Sequence, residues 1–484
     1  MSELLLSIDL GTTRLKVAAF APDGTLQHLV VVRHEEHRRR YPEGERRWQV
    51  AEQWWDDAVA GIREVLERAD APRVLGIGLS GRGGAAVFAD ESGEVIADPW
   101  SDNRHRLQDA GLRTWRRTQN VQLANAGLGL IAKYLWLEEQ HPEATGSIVR
   151  GFFAKDWLAF RLTGNHVTDW TSGPDGAAWD PGLDELGIPA TLLPRPALPW
   201  ELAGGLTEEA AARLGLDAGL PVAVGAHDGL AANIGAGATE PGVFAITLGT
   251  HAVVRAVEDE PPSGAYRFYG FPPARHVIGG NAILAGRSAD WFVDLVGAAG
   301  ADGVRDYARL EDPARRVPIG AEGARFLPFL GGQVAPELRP NARAVFAGLG
   351  LGHGPEVLYR AVLEGAAFAV RGIFDQISGW CGPPVTVRVT GGGAESALWM
   401  DILANVLDQP LELTGRAAEA RGAAMCLAVA LGMHDDLAAA VEAMVRVETR
   451  VEPEAGQAAE YGSVYADWSR LNGLSRDFDP VPTP

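Results

Sequence analysis

Residues 7–13 read SIDLGTT and follow the apolar run Leu4–Leu6, so Asp9, Gly11, Thr12 and Thr13 fall where one strand ends and the next begins. Gly and Thr are common where strands reverse, and a polar hairpin turn accounts for the pattern. The same residues also supply a phosphate cradle: backbone N–H groups opened by a glycine, two hydroxyls, and a carboxylate able to organise a cation. A second copy lies downstream. Residues 242–256 read GVFAITLGTHAVVRA, and Ile246–Thr250 align without gaps on Ile8–Thr12, with Thr247 in place of Asp9. Two strand–Gly-Thr–strand segments half a chain apart predict two related domains, each offering one turn. The boundary falls in the glycine-rich GAGATEPG, residues 235–242, which gives expected domains of 1–239 and 240–484.

Working outward from SIDLGTT, LKVAAFA pairs back and ends in the turn APDGT, and Trp54, Trp55, Ala58, Ile62, Val65 and Leu66 then repeat at helical spacing. RVLGIGLSG, residues 73–81, is the next buried strand, so the order is that of an α/β protein. Its GIGLSG matches G-x-G-x-x-G, but the following RGGAAVFADESGEVIADPW is β-rich, whereas a dinucleotide fingerprint must open a helix. Residues 353–377 form a long helix with small residues Gly365, Ala366 and Ala369 on its packed face. The strand VTVRVT precedes GGGAESALWMDILANVL, a glycine turn that opens onto a helix. The tail from about residue 452, rich in Pro and charge, is expected to be a poor core former.

With 484 residues, 46% of them hydrophobic, the chain can bury more than one core. A net charge of −20 argues against holding nucleic acid or an anionic membrane by general electrostatics, although a local cradle can still take a small anion. Cys381 and Cys426 lack metal or redox spacing, no basic leader precedes the first strand, and AAMCLAVALGM is too short to span a bilayer. A cytoplasmic protein acting on a small molecule is expected, with a homodimer left open. Lys16, Lys133 and Lys155 are the only lysines among 43 basic residues, a bias that carries no functional reading.

Phosphoryl transfer needs phosphate donors, a divalent cation, a carboxylate and exclusion of water. The sequence has no GxxxxGK[ST], so it is not a P-loop enzyme. In VAVGAHDGLAANIGAG an apolar strand delivers Asp228 to a glycine-flanked turn that starts a small-residue helix. Asp228 is either the helix N-cap or a base that takes a proton from a hydroxyl, and its neighbour His227 is read as a packing residue.

The segments SIDLGTTRLKVAAFAPDG, PWSDNR, FFAKDWLAFRLTG, GAHDGLAANIGAG, ITLGTHAVV, FLPFLGGQVAP, LEGAAFAVRG, VTGGGAESALWMDILANVLDQPLEL and RGAAM follow one another in this order. Together they resemble the landmarks of the FGGY family of carbohydrate kinases. The resemblance implies two actin-like (ribonuclease H-like) α/β domains with an ATP and sugar cleft between them, the N-terminal domain holding sugar and the C-terminal one nucleotide. It implies that Asp9 organises Mg²⁺, that Thr12 and Thr13 contact the transferred phosphate, that Gly11 and Lys16 belong to the same cofactor-binding hairpin, and that Gly249 and Thr250 form the opposing phosphate turn. Gly391, Gly392 and Gly393 would hold the nucleotide, Gly422–Ala424 would pack near adenine, and Asp228 would be the catalytic base.

The sugar side departs from the family. Arg82, Gly83 and Gly84 stand where many relatives carry a Met-His pair, so either the pocket is more open there or Arg82 supplies the polar contact. Asp102 and Arg104 would brace this loop, with Asp102 near the substrate. The H-D-G around Asp228 replaces the D-N of many xylulokinases. The expected activity is ATP-dependent phosphorylation of a ketopentose such as xylulose, with gluconate or a tetritol or other polyol as the alternative acceptor. From other classes, the alternatives are a nucleotide switch that has lost transfer and a hydrolase of activated phosphates.

Overall fold

The computed structural model describes residues 3–41, 44–70, 72–119, 121, 123–282, 284–298 and 305–478. Met1 and Ser2, ahead of the first strand, and the tail after residue 478 lie outside the described residues. By contacts the chain forms two compact units. The first is Met1–Gly237 with Phe268–His276 and Ala417–Val445, and the second is Ala238–Arg267, Val277–Arg416 and Arg446–Pro484.

In the first unit the strands run across one sheet in the order Leu202–Gly205, Pro221–Ala223, Arg73–Gly81, Glu3–Leu10, Arg14–Phe20, Leu26–Arg33. Glu3–Leu10 is buried at every position after Glu3, as a central strand covered on both faces must be. It pairs antiparallel with Arg14–Phe20 and parallel with Arg73–Gly81, which sets Asp9 opposite Lys16 on one side and Ser80 on the other. The helix Ala51–Arg68 lays Trp54, Trp55, Ala58, Ile62 and Val65 on the core that contains Leu15 and Val17. GIGLSG lies wholly inside the strand Arg73–Gly81 and opens no helix, so the dinucleotide match is a coincidence of glycines.

The second unit repeats the plan. Its strands follow the order Arg275–Ala282, Ala252–Glu258, Val243–Leu248, Thr386–Thr390, Leu411–Leu413, Thr449–Val451. Val243–Leu248 pairs antiparallel with the strand after its Gly-Thr turn and parallel with Thr386–Thr390. Thr247, opposite Val253 and Thr390, therefore occupies the place that Asp9 holds in the first sheet.

One expectation from sequence is corrected. The tail is not a poor core former: the helix Ala455–Leu474 buries Ala458, Tyr461, Val464 and Trp468, and the Trp468 indole donates to the Phe326 carbonyl at 2.8 Å. Spacings of three and four residues bring these side chains to one face, which the surrounding charge hid. Gly422–Ala424 lie in the helix Ala418–Ala430, which belongs to the first unit and is used for close backbone packing. A Cβ on Gly422 would meet the Ala231 carbonyl oxygen at 2.0 Å, one on Gly235 the Ala418 oxygen at 1.8 Å, and one on Gly78 the Ala423 oxygen at 2.2 Å. Among the described residues no helix is long and apolar enough to cross a membrane.

Candidate active site

In the first unit the Gly-Thr turn is closed by the Gly11 N–H donating to the Arg14 carbonyl at 3.0 Å, and Thr12 and Thr13 are left exposed at its tip. Asp9, just below, is buried; Lys16 Nζ lies 3.1 Å from its Oδ2 and the Ser80 hydroxyl donates to its Oδ1 at 3.2 Å. Burial pushes the Asp9 carboxyl up to about 6; Lys16 opposes the shift, while the negative charges of Glu419 and Asp228 add to it. Lys16 is held above the usual ammonium range, chiefly by Asp9, and also donates to Glu419 Oε2 at 3.3 Å. A buried carboxylate in the field of two others attracts positive charge.

Asp228 begins the helix Asp228–Ala236, but the cap is made by its neighbour: His227 Nδ1 accepts the Leu230 N–H at 3.2 Å. Asp228 Oδ1 accepts the Gly229 N–H at 2.8 Å, and the side chain is 46% exposed. Gly225, at φ +71°, makes the bend that precedes it, where a Cβ would meet the Leu79 carbonyl oxygen at 1.8 Å. Gly229 is required as well, because a Cβ there would lie 2.7 Å from the Tyr269 hydroxyl and 2.9 Å from the His227 ring. Tyr269 and His227 meet edge to face at 4.1 Å, so this wall is aromatic.

Arg82 does not extend over the glycines that follow it. Its Nη2 donates to Gln49 Oε1 at 2.7 Å, the guanidinium lies over Trp54 at 5.3 Å, and Nε is buried without a partner. Burial lowers it to about 10, against the attraction of Asp228 and Glu36, so it stays charged at neutral pH. A Cβ at Gly84 would meet nothing within 4 Å, whereas one at Gly83 would lie 3.2 Å from the Ala126 Cβ, so the loop is open at the second of these two positions only. Asp102 is tied to Arg104 and to the strand Gly44–Trp48 rather than to the Arg82–Gly84 loop: its oxygens accept Arg104 Nε at 2.7 Å, Arg104 Nη2 at 2.5 Å and the Arg47 N–H at 2.8 Å. Burial would raise its carboxyl, but these hydrogen bonds hold it below the usual range.

In the second unit Gly249 N–H donates to the His251 carbonyl at 2.9 Å and Thr250 is exposed at the tip of its turn. Gly391, at φ +99°, and Gly393 pack on Leu248, the last residue of the strand that leads into the turn. The two glycine turns are thus neighbours, and a Cβ at Gly392 would find open space. The helix Ala285–Leu295 also begins here: the Arg287 N–H donates to the Thr250 carbonyl at 3.1 Å, and a Cβ on Gly286 would lie 2.0 Å from the Gly249 oxygen.

Sequence reading missed Gly286, Gln49, Glu419, Lys133 and Tyr269. Gln49 joins the turn to the open loop, since its Nε2 donates to the Thr12 carbonyl at 3.0 Å while its Oε1 accepts from Arg82. Lys133 donates to the Gly84 carbonyl at 2.8 Å and the Trp100 carbonyl at 3.0 Å. Lys155, buried beside Asp156 and Asp169, donates to the Val224 carbonyl at 3.3 Å, one residue before the bend at Gly225. All three lysines thus make hydrogen bonds beside candidate site residues, where a compact ammonium can direct several N–H bonds into a confined space.

Residues 4–235 match the N-terminal domain of the FGGY family of carbohydrate kinases, and residues 244–431 match its C-terminal domain. The chain is 29% identical over 450 residues to the xylulose kinase of Escherichia coli K12, covering 88% of this chain and 90% of that one. It is 25% identical over 501 residues to the gluconokinase of Bacillus subtilis, covering 98% and 96%. In fold it is similar to a ligand-bound xylulose kinase of Lactobacillus acidophilus, with a TM-score of 0.84 at 23% identity over 98% of each chain.

Proposed function

Because this chain belongs to the FGGY family of carbohydrate kinases, we propose that Asp228 is the base by which it moves the γ-phosphate of ATP to a hydroxyl of a small open-chain sugar. The carrying observation is the division of labour at the helix start. His227 caps the helix, and the Asp228 carboxylate stands half-exposed between a glycine bend and an aromatic wall. As the acceptor oxygen attacks the γ-phosphorus, Asp228 takes its proton and ADP leaves. The Gly-Thr turns at Gly11–Thr13 and Gly249–Thr250 would donate to phosphate oxygens, and Gly391–Gly393 would hold the nucleotide. The first unit would serve the acceptor and the second the nucleotide.

A divalent ion, Mg²⁺ in this proposal, would neutralise phosphate charge when bound. The donor set fits such an ion: Asp9 is a buried carboxylate with Glu419 and Asp228 in its field. Among the described residues no cluster of three or more ligating side chains is present. Lys16 would hold Asp9 in place and pass between it and a phosphate oxygen. With no membrane-crossing helix among the described residues and a small-molecule acceptor, the cytoplasm is the proposed location.

For the acceptor, a ketopentose such as xylulose is the first reading, supported by the similarity to xylulose kinases. Arg82 favours a second, a sugar acid such as gluconate, because its buried Nε lacks a partner that a carboxylate would supply. ADP formation across ketopentoses, sugar acids and polyols, with the product's phosphate located by NMR, tests both. Turnover of xylulose supports the first reading and turnover confined to sugar acids the second. Turnover of none overturns the kinase assignment.

A further inference from the structure

A cavity of about 390 Å³ opens in the second unit among Arg315, Arg316, Arg360, Asp401 and the apolar Leu398 and Ile402. None of these residues belongs to the turns described above. Three guanidinium groups on one cavity stand out in a chain with 63 acidic and 43 basic residues. Arg360, with its side chain only 7% exposed, donates from Nε to Glu364 Oε1 at 2.8 Å and from Nη2 to the Tyr461 hydroxyl oxygen at 2.6 Å. Its Nη1 makes no hydrogen bond among the described residues. Arg315 meets Asp401 at 3.2 Å across a half-exposed pair, which competes weakly with a better anion. Arg316 forms no side-chain ion pair among the described residues. With Glu364 behind Arg360 and Asp401 beside Arg315, the walls retain one net positive charge and several unused N–H donors.

We propose that this cavity binds a small phosphate-bearing molecule with a sugar-sized body, as an effector site separate from the nucleotide turns. Guanidinium forks match phosphate oxygens, and Leu398 and Ile402 offer an apolar floor for the body of the ligand. The floor couples the cavity to the nucleotide side. Leu398, Asp401 and Ile402 lie on the helix Ala397–Leu407, whose N-cap Ser396 ends the single turn Gly392–Glu395 that starts at Gly391. Drawing Arg315 from Asp401 onto a phosphate acts on that helix, so ligand and nucleotide should alter each other's affinity by the same factor.

The test is calorimetric titration of the full chain with ribose 5-phosphate, inorganic phosphate and ribose, repeated in the Arg315→Ser/Arg316→Ser double variant and in Asp228→Asn. The site predicts saturable binding of ribose 5-phosphate, weaker binding of phosphate and none of ribose. It also predicts at least a tenfold loss in the double variant, no loss in Asp228→Asn, and a ligand-dependent change in ATP affinity that the double variant lacks. Both arginines are at the surface, so the variant should fold, and unchanged sugar-dependent turnover without effector checks this. Equal binding by the double variant, binding of ribose as tight as that of its phosphate, or no saturable binding would overturn the proposal.

Discussion

At the scale of single residues, the proposed chemistry assigns roles to two carboxylates in different surroundings. Asp9 is buried and its carboxyl is pushed up to about 6, and in the proposed role it would have to be ionised to organise a cation. Transfer should therefore fall as pH drops through that value. Lys16 lowers the Asp9 carboxyl, so Lys16→Met should move the acid limb of the rate profile to higher pH, and an unmoved limb would count against the pair. The same shift has a consequence for stability. A folded carboxyl raised above its unfolded value contributes stability present below the unfolded value and lost as pH rises through the folded one. Asp9→Asn should thus abolish transfer yet melt above the parent at about pH 8, with the gap closing towards about pH 4. Asp9 was legible because a glycine and two threonines mark its turn. Gln49 and Glu419 were not, since each is an isolated polar residue whose partners come together only on folding.

At the scale of elements, glycines decide which backbones may touch. Gly422, Gly235 and Gly78 let the helix Ala418–Ala430 lie against both the helix that begins at Asp228 and the strand that ends beside Arg82. Read along the chain, the same small residues do not announce these contacts, because their partners are far away in sequence. Gly422→Val should push the Asp228 helix outward and lower kcat and melting temperature together, whereas unchanged kcat in a folded variant would contradict this packing role. The Ala455–Leu474 helix was missed for a different reason: four buried side chains in twenty residues give a weak periodic signal among charges. Trp468→Ala should cost about 3–5 kcal/mol of stability, read by denaturant unfolding, because it removes both a buried ring and its hydrogen bond.

At the scale of the whole molecule, duplication explains what the sequence disclosed. Ile8–Thr12 and Ile246–Thr250 lie on central strands with the same neighbours in the same directions, so a five-residue likeness reported a whole sheet plan. The units' discontinuous make-up was hidden, because the return of Ala417–Val445 to the first unit depends on backbone approach rather than on any local pattern. Divergence between the copies underlies the proposed separation of roles: both keep Gly and Thr, and only the first keeps an acid. The direct test of the account is sugar-dependent ADP formation by the parent and Asp228→Asn side by side, with ATP binding measured on both. We expect the variant to bind ATP as the parent does and to lose transfer by about a thousandfold or more. Near-parental turnover in the variant would contradict the assignment of Asp228 as the base.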